Sequence, residues 1–169
     1  MAGDGPTDVV IDTSTLINFL RIGRVDLLAG LAAYRFIVTD HVRDEVTRIY
    51  PAQLSFLERA LHAGHLQVMS VDSTDPLFLK LARQNLGSGE CAAIAAACGL
   101  SVPLAIDDRR ARKRAVAHDP GLALMDTASL MVAAIHAGLL TIPEADAIKA
   151  DWEANHRFRL RFPTFGDLV

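Results

Sequence analysis

The sequence predicts an α/β fold, a three-layer sandwich in which helices flank a mostly parallel central sheet. Short aliphatic runs recur along the chain, and segments of helical period separate them. The runs are near-continuous in apolar residues rather than alternating, as expected of strands covered on both faces.

The first run, "DVVI" (8–11), leads into Asp12, three hydroxyl residues (Thr13, Ser14, Thr15) and a helix-like pattern. The second, "FIVT" (36–39), is followed by "HVRDEVTRIY", which Thr39 or Asp40 can cap. Pro51 opens a further helix, "PAQLSFLERALHAG", that stops at Gly64. After the third run, "LQVMSV" (66–71), Ser73 can cap "TDPLFLKLARQN" and Ser88 can cap "GECAAIAAACG", with a stop at Gly99. "VPLAI" (102–106) and "LALM" (122–125) complete the strands. Beyond Trp152, Arg157, Arg159 and Arg161 alternate with Phe158, Leu160 and Phe162, so 152–169 reads as a terminal edge strand or a docking tail. No linker, repeat or low-complexity segment divides the chain, and residues 1–169 read as one domain.

The 169 residues are 51% hydrophobic, enough for a sizeable core. A formal net charge of -3 supplies no overall positive field, so a nucleic acid would have to meet a local basic patch. Cys91 and Cys98 lie seven apart in a helical segment. Their Cα atoms are then roughly 10 Å apart, too far for a disulfide. Apolar stretches are interrupted before reaching a membrane span, and the expectation is a cytoplasmic chain with no membrane partner.

In open parallel sheets, ligands bind outside the carboxyl ends of the strands. Asp12 follows the first strand, Asp107 and Asp108 the fourth, and Asp126 the fifth; Glu45 and Glu90 sit early on helices that begin at the same edge. Carboxylates that gather there repel one another unless a cation intervenes. With oxygen donors and no His or Cys at ligand spacing, the cation expected is Mg²⁺ or Mn²⁺, one ion or a pair. Such ions activate water and stabilise a phosphodiester displacement. Taken singly, each acid also has an ordinary use: Asp12 and Asp126 as helix caps, Glu90 as a first-turn acid, Glu45 as the partner of Arg43 or Arg48.

Four motifs, "VVIDTSTLINFL", "DEV" within "TDHVRDEVTR", "GSGECAAIAAA" and "LAIDDRRAR", occur in an order that resembles the PIN-domain family, in particular its VapC-like toxin ribonucleases. The resemblance spans about Asp8 to Leu140. It implies acids holding one or two Mg²⁺ or Mn²⁺ ions and cleavage of single-stranded RNA by metal-activated water. By motif, Asp12 is the first ligand, Glu45 the acid of "EV", Glu90 that of "GE", and Asp107 or Asp108 the fourth. Ser14 suits the family's small polar residue, a hydrogen-bond donor to a carboxylate or to metal-bound water. Asp126 stands before Thr127 where many relatives carry Gly, and reads as a cap, with an extra ligand as the alternative. Arg109, Arg110, Arg112, Lys113 and Arg114 crowd about two helical turns beside the acids, a like-charge cluster that RNA phosphates would offset. Arg112 is the first candidate, because an Arg is common there after the family's "DD".

For the cellular role, resemblance implies the toxin of a toxin–antitoxin pair, with a cognate antitoxin and a homodimer. RNA processing outside a toxin system and a non-catalytic RNA- or protein-binding module are the alternatives. A phosphotransferase using Asp12 as nucleophile would need a second Asp two positions on, where the chain has Ser14.

Overall fold

The computed structural model describes residues 5–169; residues 1–4 of the expected single domain lie outside the described residues. The elements run β1 (Thr7–Ile11), α1 (Thr13–Arg21), α2 (Asp26–Ala29), β2 (Tyr34–Thr39), α3 (Asp40–Ile49), α4 (Leu54–His62) and β3 (Gln67–Met69). They continue through α5 (Pro76–Ala82), α6 (Ser88–Leu100), β4 (Leu104–Ala105), α7 (Arg109–His118), β5 (Leu124–Met125), α8 (Thr127–His136) and α9 (Ile142–Asn155). The five strands form one sheet in the order β3-β2-β1-β4-β5, and every pairing is parallel. The expected α/β architecture is therefore the observed one.

Alternate residues of β1, β2 and the β4 segment feed different cores. Val9, Ile11, Phe36, Val38 and Ala105 join side chains of α1, α2, α3, α4, α8 and α9 on one face. Val10, Ile37, Leu104 and Ile106 join α5, α6 and α7 on the other. Both sets are buried, which is why the strands read as continuous apolar runs rather than an alternation. Trp152 anchors the first core, packed edge-on against Phe19 and Phe158 at centroid distances of 6.1 and 5.4 Å.

The order places a switch at the centre of the sheet. From β1 the chain winds outward through β2 and β3, then crosses back to β4 on the other side of β1. The carboxyl ends of β1 and β4 therefore sit side by side, tied by the Asp12 N–H to the Ala105 carbonyl at 2.9 Å. A crevice at such a point is where open parallel sheets take ligands.

Several sequence expectations are corrected. Asp75, not Ser73, caps α5, accepting from the N–H groups of Leu77 and Phe78, and Pro76 takes the first helical position, where a missing N–H costs nothing. Gly87 rather than Ser88 is the N-cap of α6, and that helix passes Gly99 to end at Ser101 in the left-handed region (φ 55°). Residues 156–164 form no strand. Trp152 instead lies in the last turn of α9, and Phe158, Leu160 and Phe162 fold back as partly buried cover on the first core. The alternation belongs to a strap packed on its own chain, with Arg159 paired to Glu153 at 3.1 Å. Among the described residues no helix is long and apolar enough to cross a membrane.

Candidate active site at the strand ends

Asp12 directly follows β1 and caps α1. Its Oδ2 accepts from the Ser14 hydroxyl at 2.8 Å and the Ser14 N–H at 3.2 Å. Its Oδ1 is buried with no hydrogen-bond partner. The residue is 1% exposed, and its carboxyl is pushed up to about 7 from 3.8: burial is the largest cause, the Ser14 bonds oppose it, and the charges of Glu90 and Glu45 add to it.

The three hydroxyls after Asp12 each serve a different carboxylate. Thr13 Oγ1 donates to Glu45 at 2.7 Å, Ser14 to Asp12, and Thr15 Oγ1 to Asp107 at 2.6 Å. Successive side chains on a helix fan out by about 100°, so one turn reaches three acids from three segments. Ser14 Oγ also accepts the N–H of Asp107 at 3.0 Å, which pins the chain after β4 to the chain after β1.

Glu45, on α3, spans to the start of α6, where its Oε1 accepts the Gly89 N–H at 3.0 Å. Glycine at 89 leaves room for that carboxylate: a Cβ there would come within 2.6 Å of the Glu45 carboxyl carbon and push the side chain aside. Glu90, half-buried, accepts the Gly87 N–H at 2.9 Å. Burial raises its pKa, and Asp108 and Glu45 raise it further. Asp107 is raised by burial against hydrogen bonds from Thr127 and Thr15. Asp108 is exposed and caps α7 through the Ala111 N–H at 2.8 Å. Asp126 caps α8, accepting the Ser129 N–H at 2.8 Å, and its own N–H goes to the Ser129 hydroxyl.

Among the described residues, no three His, Cys, Asp or Glu side chains are gathered into a ready-made metal cage. The fit to a hard cation rests instead on the chemistry of the donors. A buried carboxylate oxygen without a proton donor, electrostatically coupled to two further carboxylates, has the lone pairs and excess negative charge that a divalent ion would satisfy.

Of the basic residues, Arg109, Arg110, Lys113 and Arg114 line, with Ala117, an open groove of about 490 Å³. Arg112 does not join them. Its Nη1 donates to the carbonyls of Ile106 at 2.6 Å and Met125 at 3.1 Å, closing the ends of β4 and β5. The sequence expectation made Arg112 the first phosphate contact; here strand-end carbonyls hold its Nη1. Arg110 is partly engaged too, donating to the Gln84 carbonyl at 2.7 Å. A larger cavity, about 670 Å³, lies in the C-terminal strap between Lys149 and Phe162, and of the acids only Glu153, outside the candidate site, lines it.

Thr13, Thr15, Asn18 and Gly89 are site residues to which the sequence reading assigned no role. The run of hydroxyls directly after a strand-ending acid was the available signal for two of them. Asn18 carried none, because its partners lie at Ser14 and Thr127.

Residues 8–161 match the model of the family DUF3368, described as a PIN domain. Among solved structures, PAE2754 from Pyrobaculum aerophilum is similar at 13% identity and a TM-score of 0.52, with 81% of this chain and 94% of that chain covered. A PilT N-terminus domain protein, SSO1118 from Sulfolobus solfataricus P2, is similar at 18% identity and a TM-score of 0.48, covering 76% and 93%. Among curated proteins none matches.

Proposed function

Because this chain belongs to the PIN-domain family DUF3368, whose members are generally nucleases, we propose that it is a metal-dependent endoribonuclease cutting single-stranded RNA. The observation that carries the proposal is the orphaned, buried Oδ1 of Asp12 at the sheet's switch point, within the electrostatic reach of Glu45 and Glu90. Asp12, Glu90 and Asp107 or Asp108 would hold Mg²⁺ or Mn²⁺, with Glu45 beside them. When bound, such an ion supplies activation of water and stabilisation of the displaced oxyanion.

The chain's own groups prepare the site. Ser14 fixes the Asp12 carboxylate and the loop after β4 relative to each other. Thr13 and the Gly89 N–H fix Glu45, and Gly87 fixes Glu90. Arg109, Arg110, Lys113 and Arg114, on the helix that Asp108 caps, offer cations to phosphates flanking the scissile bond. The cellular role that best suits the motifs is a cytoplasmic toxin, homodimeric and restrained by a cognate antitoxin.

The test is cleavage of a mixed single-stranded RNA pool with Mg²⁺, with Mn²⁺ and with EDTA. Cutting in either metal and none in EDTA is the expected result; binding without cutting in every condition would make the protein a non-catalytic module. A second expectation concerns the α7 groove. Lys113→Gln and Arg114→Gln should each weaken RNA binding regardless of sequence, and each lost contact should flatten the slope of log affinity against log salt by about 0.7. An unchanged slope in both variants would remove the groove from the RNA path.

A further inference from the structure

Thr127 Oγ1, at the start of α8, stands between two groups: the Nδ2 of Asn18 at 3.0 Å and the Oδ2 of Asp107 at 2.6 Å. A hydroxyl has one proton to give, and an amide nitrogen has only protons to offer. The orientation of the Asn18 amide is itself settled, because Nδ2 also lies 3.1 Å from the Ser14 carbonyl, which can only accept. Turning the amide over would set two oxygens against each other there. Thr127 must therefore accept from Asn18, and its single proton is left for Asp107.

The consequence falls on one oxygen. Asp107 Oδ2 receives hydroxyl protons from both Thr15 and Thr127, whereas Oδ1 has only a share of the Thr127 N–H, at 3.3 Å against 3.2 Å to Oδ2. Asn18 is 1% exposed, and its backbone carbonyl accepts the Trp152 indole N–H at 2.8 Å, so both ends of the residue are held.

We infer that Asn18 is a positioning residue: by dictating which way the Thr127 hydroxyl points, it saturates Oδ2 of Asp107 and leaves Oδ1 as the oxygen open to a cation. The inference rests on the metal-dependent reading above and adds to it a residue outside the acid set. On this inference Asn18 reaches Asp107 only through Thr127, so that effect disappears once the Thr127 hydroxyl is gone.

The experiment is a double-mutant cycle on Mn²⁺ affinity, read from the free-ion resonance signal of the full chain. It compares wild type with Asn18→Leu, Thr127→Val and the pair together, adds Thr127→Ser, and checks each variant for a cooperative thermal transition. Each single change should weaken Mn²⁺ binding about tenfold, as for other groups that orient a ligand. The double variant should be no weaker than Thr127→Val, while Thr127→Ser, which keeps the hydroxyl, should stay near wild type. Losses that multiply to about a hundredfold would overturn the inference. So would an unaltered Asn18→Leu, or a Thr127→Ser as weak as Thr127→Val. Asn18→Ala replaces Asn18→Leu if the latter does not fold; if neither folds, Asn18 is a core residue and the inference is overturned. A wild type that binds no Mn²⁺ would instead overturn the metal-dependent reading, and the inference with it.

Discussion

Asp12→Asn is expected to make the metal-free protein more stable at pH 7 while reducing RNA cleavage more than about a hundredfold, beyond the loss typical of groups that merely orient a ligand. Asparagine caps a helix as well as aspartate does, and its amide oxygen can take over the Ser14 bonds. The gain comes from the charge. Folding raises the Asp12 carboxyl from 3.8 to about 7, chiefly through burial and then through Glu90 and Glu45. A folded state that holds its proton more tightly than the unfolded chain loses stability as pH rises. The cost is absent below the unfolded value of 3.8, grows between there and about 7, and is constant above. At pH 7 the substitution should recover about 1–3 kcal/mol, an increase of about 2–10 °C in Tm for a chain of this size. Glu90 and Asp107 are raised as well, so both proteins should lose stability with rising pH. The diagnostic quantity is the difference between their melting curves in EDTA, which should widen from pH 4 to pH 7. An Asn variant that melts lower than wild type at pH 7 would make Asp12 a structural acid.

Gly89→Ala separates stability from activity. At the second position of α6, helix propensity alone favours alanine by about 1 kcal/mol. Against that, the new Cβ would lie 2.6 Å from the Glu45 carboxyl carbon and 2.9 Å from its Oε1. Those atoms end a flexible side chain, so the carboxylate swings aside rather than the helix moving. In doing so it gives up the Thr13 hydroxyl and the Gly89 N–H, each worth about 1 kcal/mol. Folding stability should then stay within about 1 kcal/mol of wild type. Cleavage should fall about a hundredfold, the cost of displacing a reacting-site group by about 1 Å. Melting and cleavage measured on one preparation test this, and full activity with normal melting would show that Glu45 has no part in the reaction.

What could be read from the residues followed the range of the interactions involved. The strands were legible because burial on both faces writes itself as consecutive aliphatics, and the strand-ending acids were legible because the sheet topology sends every carboxyl end to one rim. The caps were legible to within a residue or two: Ser73 and Asp75 are both good caps, and only the proline after Asp75 separates them. The C-terminal strap left edge strand and docking tail open because alternating Arg and Phe is also the pattern of a half-buried strand. A segment lying over a core shows the same alternation without any strand partner. The bonds of Arg112 were illegible because a cation beside acids suggests a ligand contact, whereas the partners of its Nη1 are backbone carbonyls that carry no sequence signature. Asn18 and Thr15 were illegible for a similar reason: the groups that define them are 109 and 92 residues away.

The indole of Trp152 gives the molecule a property unrelated to its chemistry. It is the chain's single tryptophan, fully buried between Phe19 and Phe158, and its N–H is bonded to the backbone of Asn18. Its emission therefore comes from one place, the seam where α9 meets the helix that carries Thr13, Ser14 and Thr15. Light collected from an unlabelled sample reads the integrity of that seam directly. A red shift on heating, on adding RNA or on adding a second protein would report water reaching the floor beneath the acids, without a dye or an engineered label.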